Sequence, residues 1–572
     1  MLLSETEDHA ASDINRRVRD QTLRSRRPCA RGEVLCAEPG RSRECPKCVV
    51  GPASEGASRT RSVNVHEKSD TAIVPKKVLN NGELNPAERL EGRAVLKWNV
   101  QPPAAVRTQS RGTASIGLLG VRRAAQSKKD LKFTALLHHI DTELLRQSYF
   151  KLKRDAASGI DGVDWANYGE GLDERLELLH KRVQQGSYRA QPARRVYIPK
   201  ADGSQRPLSI LCIEDKIVQQ AVVEVLQAIY EPEFMGFSYG FRPERGQHDA
   251  LDALQTALYR KQVNWILDAD IRKFFDSMDH TWTLRFLQHR IGDHRVLRLI
   301  RKWLKVGVME EGSRVAQEIG APQGAVVSPI LANVYLHYVF DLWVHHWRKR
   351  NAHGDVIVIR YADDTVLGFQ YKQDADALLE ALKSRLSGFG LALHPDKTRL
   401  LQFGRYAQEH RAKAGKGKPE TFDFLGFTHY CSRARKNGWF KVERKTIAKR
   451  MRVQLQVIKT ELRRRLHRPI DETGRWLNQV LRGHMAYYAV PGNGPSIASF
   501  FYRVEWLWYR SLCRRSQRRR MNWGRFRLIL NRHVPRIRIM HPQPLHRFDA
   551  KHTREEPSAL GAHAGICAGG AG

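Results

Sequence analysis

Residues Val358–Phe369 read "VIRYADDTVLGF", a β-branched and aromatic run of the kind that enters a protein core, broken by two adjacent aspartates. An Ala-Asp-Asp-Thr turn between two strands explains the local geometry, because Asp side chains bond to nearby backbone N–H groups in hairpin loops. It does not explain two carboxylates held side by side. Paired carboxylates are also what a divalent cation needs, and a third carboxylate elsewhere decides between the two readings.

That third group is in "NWILDADIRKFFDSMDH", which runs apolar from Trp265 into Asp268 and Asp270 and then turns basic and aromatic. If Asp270 ends one strand and Asp363 and Asp364 occupy a hairpin turn beside it, three carboxylates meet at one end of a sheet. Such a cluster repels itself unless cations are present. Mg²⁺ fits, as a hard ion that takes a few carboxylate oxygens and leaves its other positions to water and substrate phosphates. Two such ions serve nucleotidyl transfer. Alternation puts Asp268 on the same strand face as Asp270, so it is a rival ligand.

The whole chain carries charge of a matching kind. Its 572 residues include 97 Lys and Arg against 60 Asp and Glu, a formal charge of +37, which is the footprint of a protein that lies along nucleic-acid phosphates. A hydrophobic content of 41% is enough for real cores. The longest apolar candidate for a membrane span, Ala321–Phe340, is interrupted by Gln323, Ser328, Asn333 and His337, so no membrane is expected. Eight cysteines in a chain of this length make no disulfide framework, which fits a reducing cytoplasm. Cys29, Cys36, Cys45 and Cys48 form a weak zinc pattern whose alternative is free thiols in an unstructured basic segment. The first residues lack an apolar core segment and contain acids, which argues against a secretory signal or a transit peptide.

Residues 1–125 are rich in Arg, Ser, Pro and Gly with little apolar periodicity and read as largely disordered. From 126 to 430 helical spacing alternates with short strand-like runs, giving an α+β or α/β region. After Tyr430 the pattern turns helical. Ile447, Met451, Leu455, Ile458, Leu462 and Leu466 recur at intervals of three and four, Pro469 interrupts, and further helices are expected around Trp476–Tyr488 and over "FFYRVEWLWYR". Between Phe501 and Ala550 there are 13 Arg but only two acids, an imbalance that favours a phosphate-binding surface over an ordinary solvated face.

The ordered set of blocks "SGIDGVD" (Ser158), "YIPKADGSQRPLSI" (Tyr197), "FSYGFRP" (Phe237), "DIRKFFD" (Asp270), "PQGAVVSPILAN" (Pro322), "YADD" (Tyr361), "LHPDKT" (Leu393) and "FDFLGF" (Phe422) resembles the group II intron reverse transcriptase/maturases over roughly residues 130 to 570. The resemblance implies a right-hand polymerase: fingers and palm of α+β type around an antiparallel sheet over 126–430, a helical thumb/maturase region over 431–512, and an Arg-rich extension over 513–572. It implies RNA-directed DNA synthesis coupled to binding and splicing of an intron RNA, and copying of that RNA into DNA during retrohoming.

Carried over by position, it implies that Asp270, Asp363 and Asp364 bind two Mg²⁺ ions, with the Ile271 carbonyl as an extra ligand. It implies that Lys200 and Arg206 neutralise an incoming dNTP, that Phe275 lies under the sugar and rejects a 2′-hydroxyl, and that Gln323 and Lys397 lie near nucleotide or template. The alternatives are a surface hairpin for Lys200 and Arg206, core packing for Phe275 and an ordinary exposed lysine for Lys397. Arg514, Arg515, Arg518, Arg519 and Arg520 would contact target DNA or intron RNA. Tyr487, Tyr488, Trp506, Trp508 and Tyr509 either stack on bases or belong to the core, with core the stronger reading. Only Cys567 follows residue 513, which resembles the family's endonuclease-free forms. The oligomeric state is left open, a homodimer included. Two alternatives to the polymerase role in intron mobility are a reverse transcriptase used in phage defence and a non-catalytic RNA-binding splicing chaperone. The helical C-terminal block argues against the first, and retention of all three acids argues against the second.

Overall fold

The computed structural model describes residues 116–199, 205–310, 313–315, 318–434, 436–515 and 521–552. The four N-terminal cysteines, Lys200 and Arg518–Arg520 lie outside the described residues. In chain order the strands are β1 (Ala193–Pro199), β2 (Gln205–Ile210), β3 (Trp265–Asp270), β4 (Val308–Glu310), β5 (Ser313–Val315), β6 (Val356–Tyr361), β7 (Asp364–Phe369), β8 (Arg399–Gln402), β9 (Phe422–Phe424), β10 (Phe427–Arg433) and β11 (Phe440–Thr446). They form three sheets, ordered β2-β1-β4-β5, β6-β7-β3-β8 and β11-β10-β9. With helices between them, this is an α+β arrangement. The second and third sheets are antiparallel throughout, whereas the first contains one parallel pairing, Ala193 opposite Val308.

The central sheet explains the apolar run around the aspartate pair. β6 and β7 each bury five consecutive residues instead of alternating, the pattern of strands covered on both faces. Helix Gln247–Arg260 packs against β6, and helix Lys372–Ser387 packs against β3 and β7. On the latter helix Ala375, Leu378, Leu382 and Leu386 recur at intervals of three and four and form the buried stripe. Helix Ile213–Tyr230 is buried nearly all round, from Ile217 and Val218 to Leu226 and Ile229.

Two expected boundaries move. Helix begins at Ile116, inside the segment expected to be disordered, and Leu118, Val121 and Ala125 are buried. The region expected to be helical from 431 instead opens with the β10–β11 hairpin, and helix starts only at Ala448. Beyond that point the helices Ala448–Arg464, Ile470–Tyr488 and Gly494–Cys513 follow the apolar spacing, with Ile458, Leu462, Trp476, Tyr488 and Trp508 buried.

The Arg-rich C-terminal segment is partly built into the body. Helix Trp523–His533 packs on Ile470–Tyr488, where His533 Nε2 lies 2.9 Å from Asp471 and Asn478 Nδ2 donates to the His533 carbonyl. Helix Pro544–His552 returns to Gln247–Arg260, and the Arg547 guanidinium pairs with buried Asp252. Arg547 therefore serves packing, not phosphate binding.

Gly404, just after β8, has φ of 146°, and a Cβ there would lie 1.8 Å from the Val263 carbonyl oxygen. Gly404→Ala is expected to lower the thermal midpoint by about 5 °C or more in a melting experiment, since neither backbone can yield without losing strand pairing.

Candidate active site

β3 and β7 run antiparallel with Trp265 opposite Phe369 and, at the far end, Asp270 opposite Asp364. β6 and β7 are joined by the two-residue loop Ala362-Asp363, with Tyr361 opposite Asp364. Register thus sets one aspartate at the end of β3, one at the start of β7 and one in the turn beside them. Cross-strand residues lie about 5 Å apart, so carboxylates placed this way repel one another.

Lys397 answers that repulsion. Its ammonium lies 2.7 Å from Asp270 Oδ2. Partial burial lowers its pKa, but the hydrogen bond to Asp270 and the charges of Asp270, Asp364 and Asp363 outweigh this and raise it. The one ammonium therefore senses all three carboxylates. Among the described residues no three or more His, Cys, Asp or Glu side chains are arranged as a ready-made cage for a metal. The donor set nevertheless fits Mg²⁺, which takes few protein oxygens and draws its remaining ligands from water and phosphate. Asp363 Oδ1 is shielded from bulk solvent.

The other expected residues fall in several places. Asp268 lies on the same strand face as Asp270 but faces Arg399 at 3.4 Å, and burial pushes its carboxyl up to about 6 despite that pairing. Ile271 follows directly and bridges to Leu393, while the Asp270 carbonyl accepts from His394 N at 2.8 Å. Phe274 is the core member of its pair, packed edge-on against Tyr335. Phe275 is half-buried, with its ring 5.4 Å from that of Phe274. Gln323 Nε2 donates to Asp276 at 3.2 Å and its carbonyl accepts from Ser209 N on β2, so the Pro-Gln-Gly turn joins the first sheet to the site. Gly324 makes this approach possible, since a Cβ there would lie 2.6 Å from the Ser209 oxygen. Arg206 is on β2 opposite Ile198. Arg514 is exposed, and Arg515 donates to the Arg468 carbonyl at 2.8 Å. Tyr488 and Trp508 are core, Tyr487 and Tyr509 are half-buried, and Trp506 is at the surface. Tyr487 Oη holds the Leu425 carbonyl at 2.7 Å, tying a helix to the positive-φ turn of "FDFLGF".

Behind the aspartate turn lies a buried polar layer that sequence reasoning missed. Arg242 is clamped by Glu231 and donates to the carbonyls of Met235 and Ser238. The Ser238 segment pairs with β6 through Arg360 N to the Phe237 carbonyl and Tyr239 N to the Arg360 carbonyl, both at 2.9 Å. Asn333 donates to the Gly240 carbonyl at 2.8 Å. A cavity of about 460 Å³ opens on the same region, lined among others by Tyr361, Gly324, Lys216, Arg242 and Arg245. The only hint in the sequence was the block "FSYGFRP" itself, a Gly and an Arg at fixed distance among aromatics.

Residues 198–429, which contain all of these blocks from Ile198 to β10, match the family described as reverse transcriptase (RNA-dependent DNA polymerase). The chain is 33% identical over 273 residues to protein YkfC of Escherichia coli (strain K12), covering 42% of this chain and 71% of YkfC. It is 29% identical over 304 residues to the group II intron-encoded protein LtrA of Lactococcus lactis subsp. cremoris, covering half of each. It is 31% identical over 299 residues to the 91 kDa protein in the cob intron of Schizosaccharomyces pombe, covering 51% of this chain and 37% of that one. The chain thus spans about half or less of the length of the two intron proteins. Sheet register, the position of the three aspartates and these similarities agree: the chain belongs to the group II intron reverse transcriptase/maturase family.

Proposed function

We propose that this chain is an RNA-directed DNA polymerase that binds a group II intron RNA, assists its splicing and copies it into DNA during retrohoming. The observation that carries the reading is the register that sets Asp270 against Asp364, with Asp363 in the adjoining turn and the Lys397 ammonium 2.7 Å from Asp270. In right-hand terms the central sheet is the palm, the first sheet belongs to the fingers, and the helices after Ala448 are the thumb and maturase region.

Asp270, Asp363 and Asp364, with the Ile271 carbonyl, would hold two Mg²⁺ ions, which when bound activate the primer 3′-hydroxyl and neutralise the departing pyrophosphate. The chain's own residues do the rest by placement. Lys397, now on Asp270, supplies a positive charge that can turn to an incoming triphosphate. Arg206, with Lys200 close by in sequence, would add charge from the fingers. The half-buried ring of Phe275, backed by Phe274, offers a wall for the sugar. Gln323, pinned between Ser209 and Asp276, presents backbone and amide at the joint of fingers and palm. Intron RNA and target DNA would be held through phosphates by basic helical surfaces, Arg514, Arg515 and Arg518–Arg520 among them.

Primer extension on a poly-rA template with Mg²⁺ tests this reading. Wild type should make cDNA, and Asp363→Ala with Asp364→Ala should reduce synthesis by on the order of 1,000-fold. The same double variant should bind intron RNA within about twofold of wild type and still promote splicing, because phosphate contacts elsewhere dominate that affinity. A wild type that makes no cDNA under any condition would sink the polymerase role. For Phe275→Val, incorporation of rNTP relative to dNTP should rise by about 10-fold or more in single-nucleotide kinetics, since a steric wall against one hydroxyl is removed.

A further inference from the structure

The turn that carries Asp363 and Asp364 is not at rest by its own preference. Ala362, the first of its two loop residues, has φ of 58°, a left-handed conformation that Gly adopts readily and Ala resists. Something else in the fold must hold it there.

The Ala362 carbonyl accepts a hydrogen bond of 2.9 Å from Arg360 Nη1. The Arg360 side chain is 1% exposed, and its other four N–H groups are all committed. Nε and Nη2 form a two-pronged pair with Asp341 at 2.7 and 2.6 Å, Nη1 donates also to Asn333 Oδ1 at 3.2 Å, and Nη2 to Ser238 Oγ at 2.6 Å. With the Ala362 carbonyl these acceptors come from three separate segments, so the guanidinium has one available position. Asp341 itself closes a π-helical turn, His337–Asp341, between two α-helical stretches. Such turns are rare and concentrate at functional sites, and this one aims a fully buried carboxylate at Arg360. From the other side Gly240 abuts the turn, where a Cβ would come within 2.3 Å of Ala362 N. The carbonyl is thus pulled by Arg360 while the amide is walled by Gly240.

We infer that Arg360, set by Asp341 and its π-helical turn, is a positioning residue that holds Ala362 left-handed and thereby fixes where Asp363 and Asp364 point. The pair is net neutral, so it shapes the turn without placing an uncompensated positive charge behind two carboxylates that must attract a cation. This inference rests on the reading of the turn as the polymerase centre, but its first test does not need activity.

That test is amide hydrogen exchange of residues 360–365 in the metal-free, full-length protein, comparing wild type with Arg360→Lys and Asp341→Asn. Lys keeps the charge but lacks the planar fork that reaches Asp341 and Ala362 together. Exchange in the turn should speed up by about tenfold or more, with helix Ile213–Tyr230 unchanged. In primer extension, kcat should fall by on the order of 100-fold while the KM for dNTP stays within about threefold, the mark of a reacting group displaced after binding. Adding Ala362→Gly to Arg360→Lys should restore kcat by about fivefold, because Gly takes the left-handed conformation without help. A purely structural ion pair would give no such rescue. Should Arg360→Lys lose protection throughout, the apolar double variant Arg360→Met with Asp341→Leu, which avoids a buried unpaired charge, takes its place, and the same local loss is required. Unchanged exchange in the turn of a folded variant, unchanged kcat, or no rescue by Ala362→Gly overturns the inference. A wild type that makes no cDNA while turn exchange responds as described overturns the polymerase reading instead.

Discussion

Everything in the central region follows from one electrostatic constraint: three carboxylates at the end of one sheet, each repelling the other two. Asp270 and Asp364 are opposed by the pairing of β3 with β7, and Asp363 is in the loop that starts β7. No local preference of the chain favours this. It persists because β6 and β7 are buried on both faces and cannot slip register without repacking five buried residues each against the opposite layer. The apolar sheet therefore bears the cost of the polar site, and Lys397 offsets part of the repulsion while no cation is bound.

The surrounding elements read as supports for that point. The Pro-Gln-Gly turn fastens the first sheet to the site through Ser209 and Gln323, and a glycine is required where the two backbones meet. The segment around Ser238 lies alongside β6 and is itself clamped by Arg242 on Glu231. Tyr487 ties the helical region to the turn at Leu425, and Arg547 ties the C-terminal helix to Asp252. The C-terminal residues thus reach back to the helix that packs on β6, which ties the C-terminal helix to the sheet that carries the aspartates.

Much of this was legible in the sequence, for physical reasons that differ by element. The aspartate turn stood out because charge is rare inside a β-branched run, and the helix Ala448–Arg464 because its apolar residues keep a strict interval. The β10–β11 hairpin was missed because "FTHYCSR" and "FKVERKT" alternate with so many polar groups that a basic, helix-prone reading prevailed. Arg360, Asn333 and Asp341 were missed because a lone polar residue in an apolar stretch looks like an interruption. Only the fold shows that Asn333 and Asp341 both face Arg360. Arg547 was counted with the phosphate-binding arginines because its partner Asp252 lies 295 positions away, beyond any local pattern.

The central claim is that Asp270, Asp363 and Asp364 hold divalent cations at the end of the β3–β7 pair. Anomalous scattering from Mn²⁺ in crystals of the full chain bound to a primer–template duplex and an incoming dNTP tests it most directly. Density is expected between the Asp270 carboxylate and those of Asp363 and Asp364, shared with the triphosphate, with Lys397 displaced from Asp270. Metal bound elsewhere, with Lys397 still on Asp270 and the three aspartates bare of cations, would contradict it.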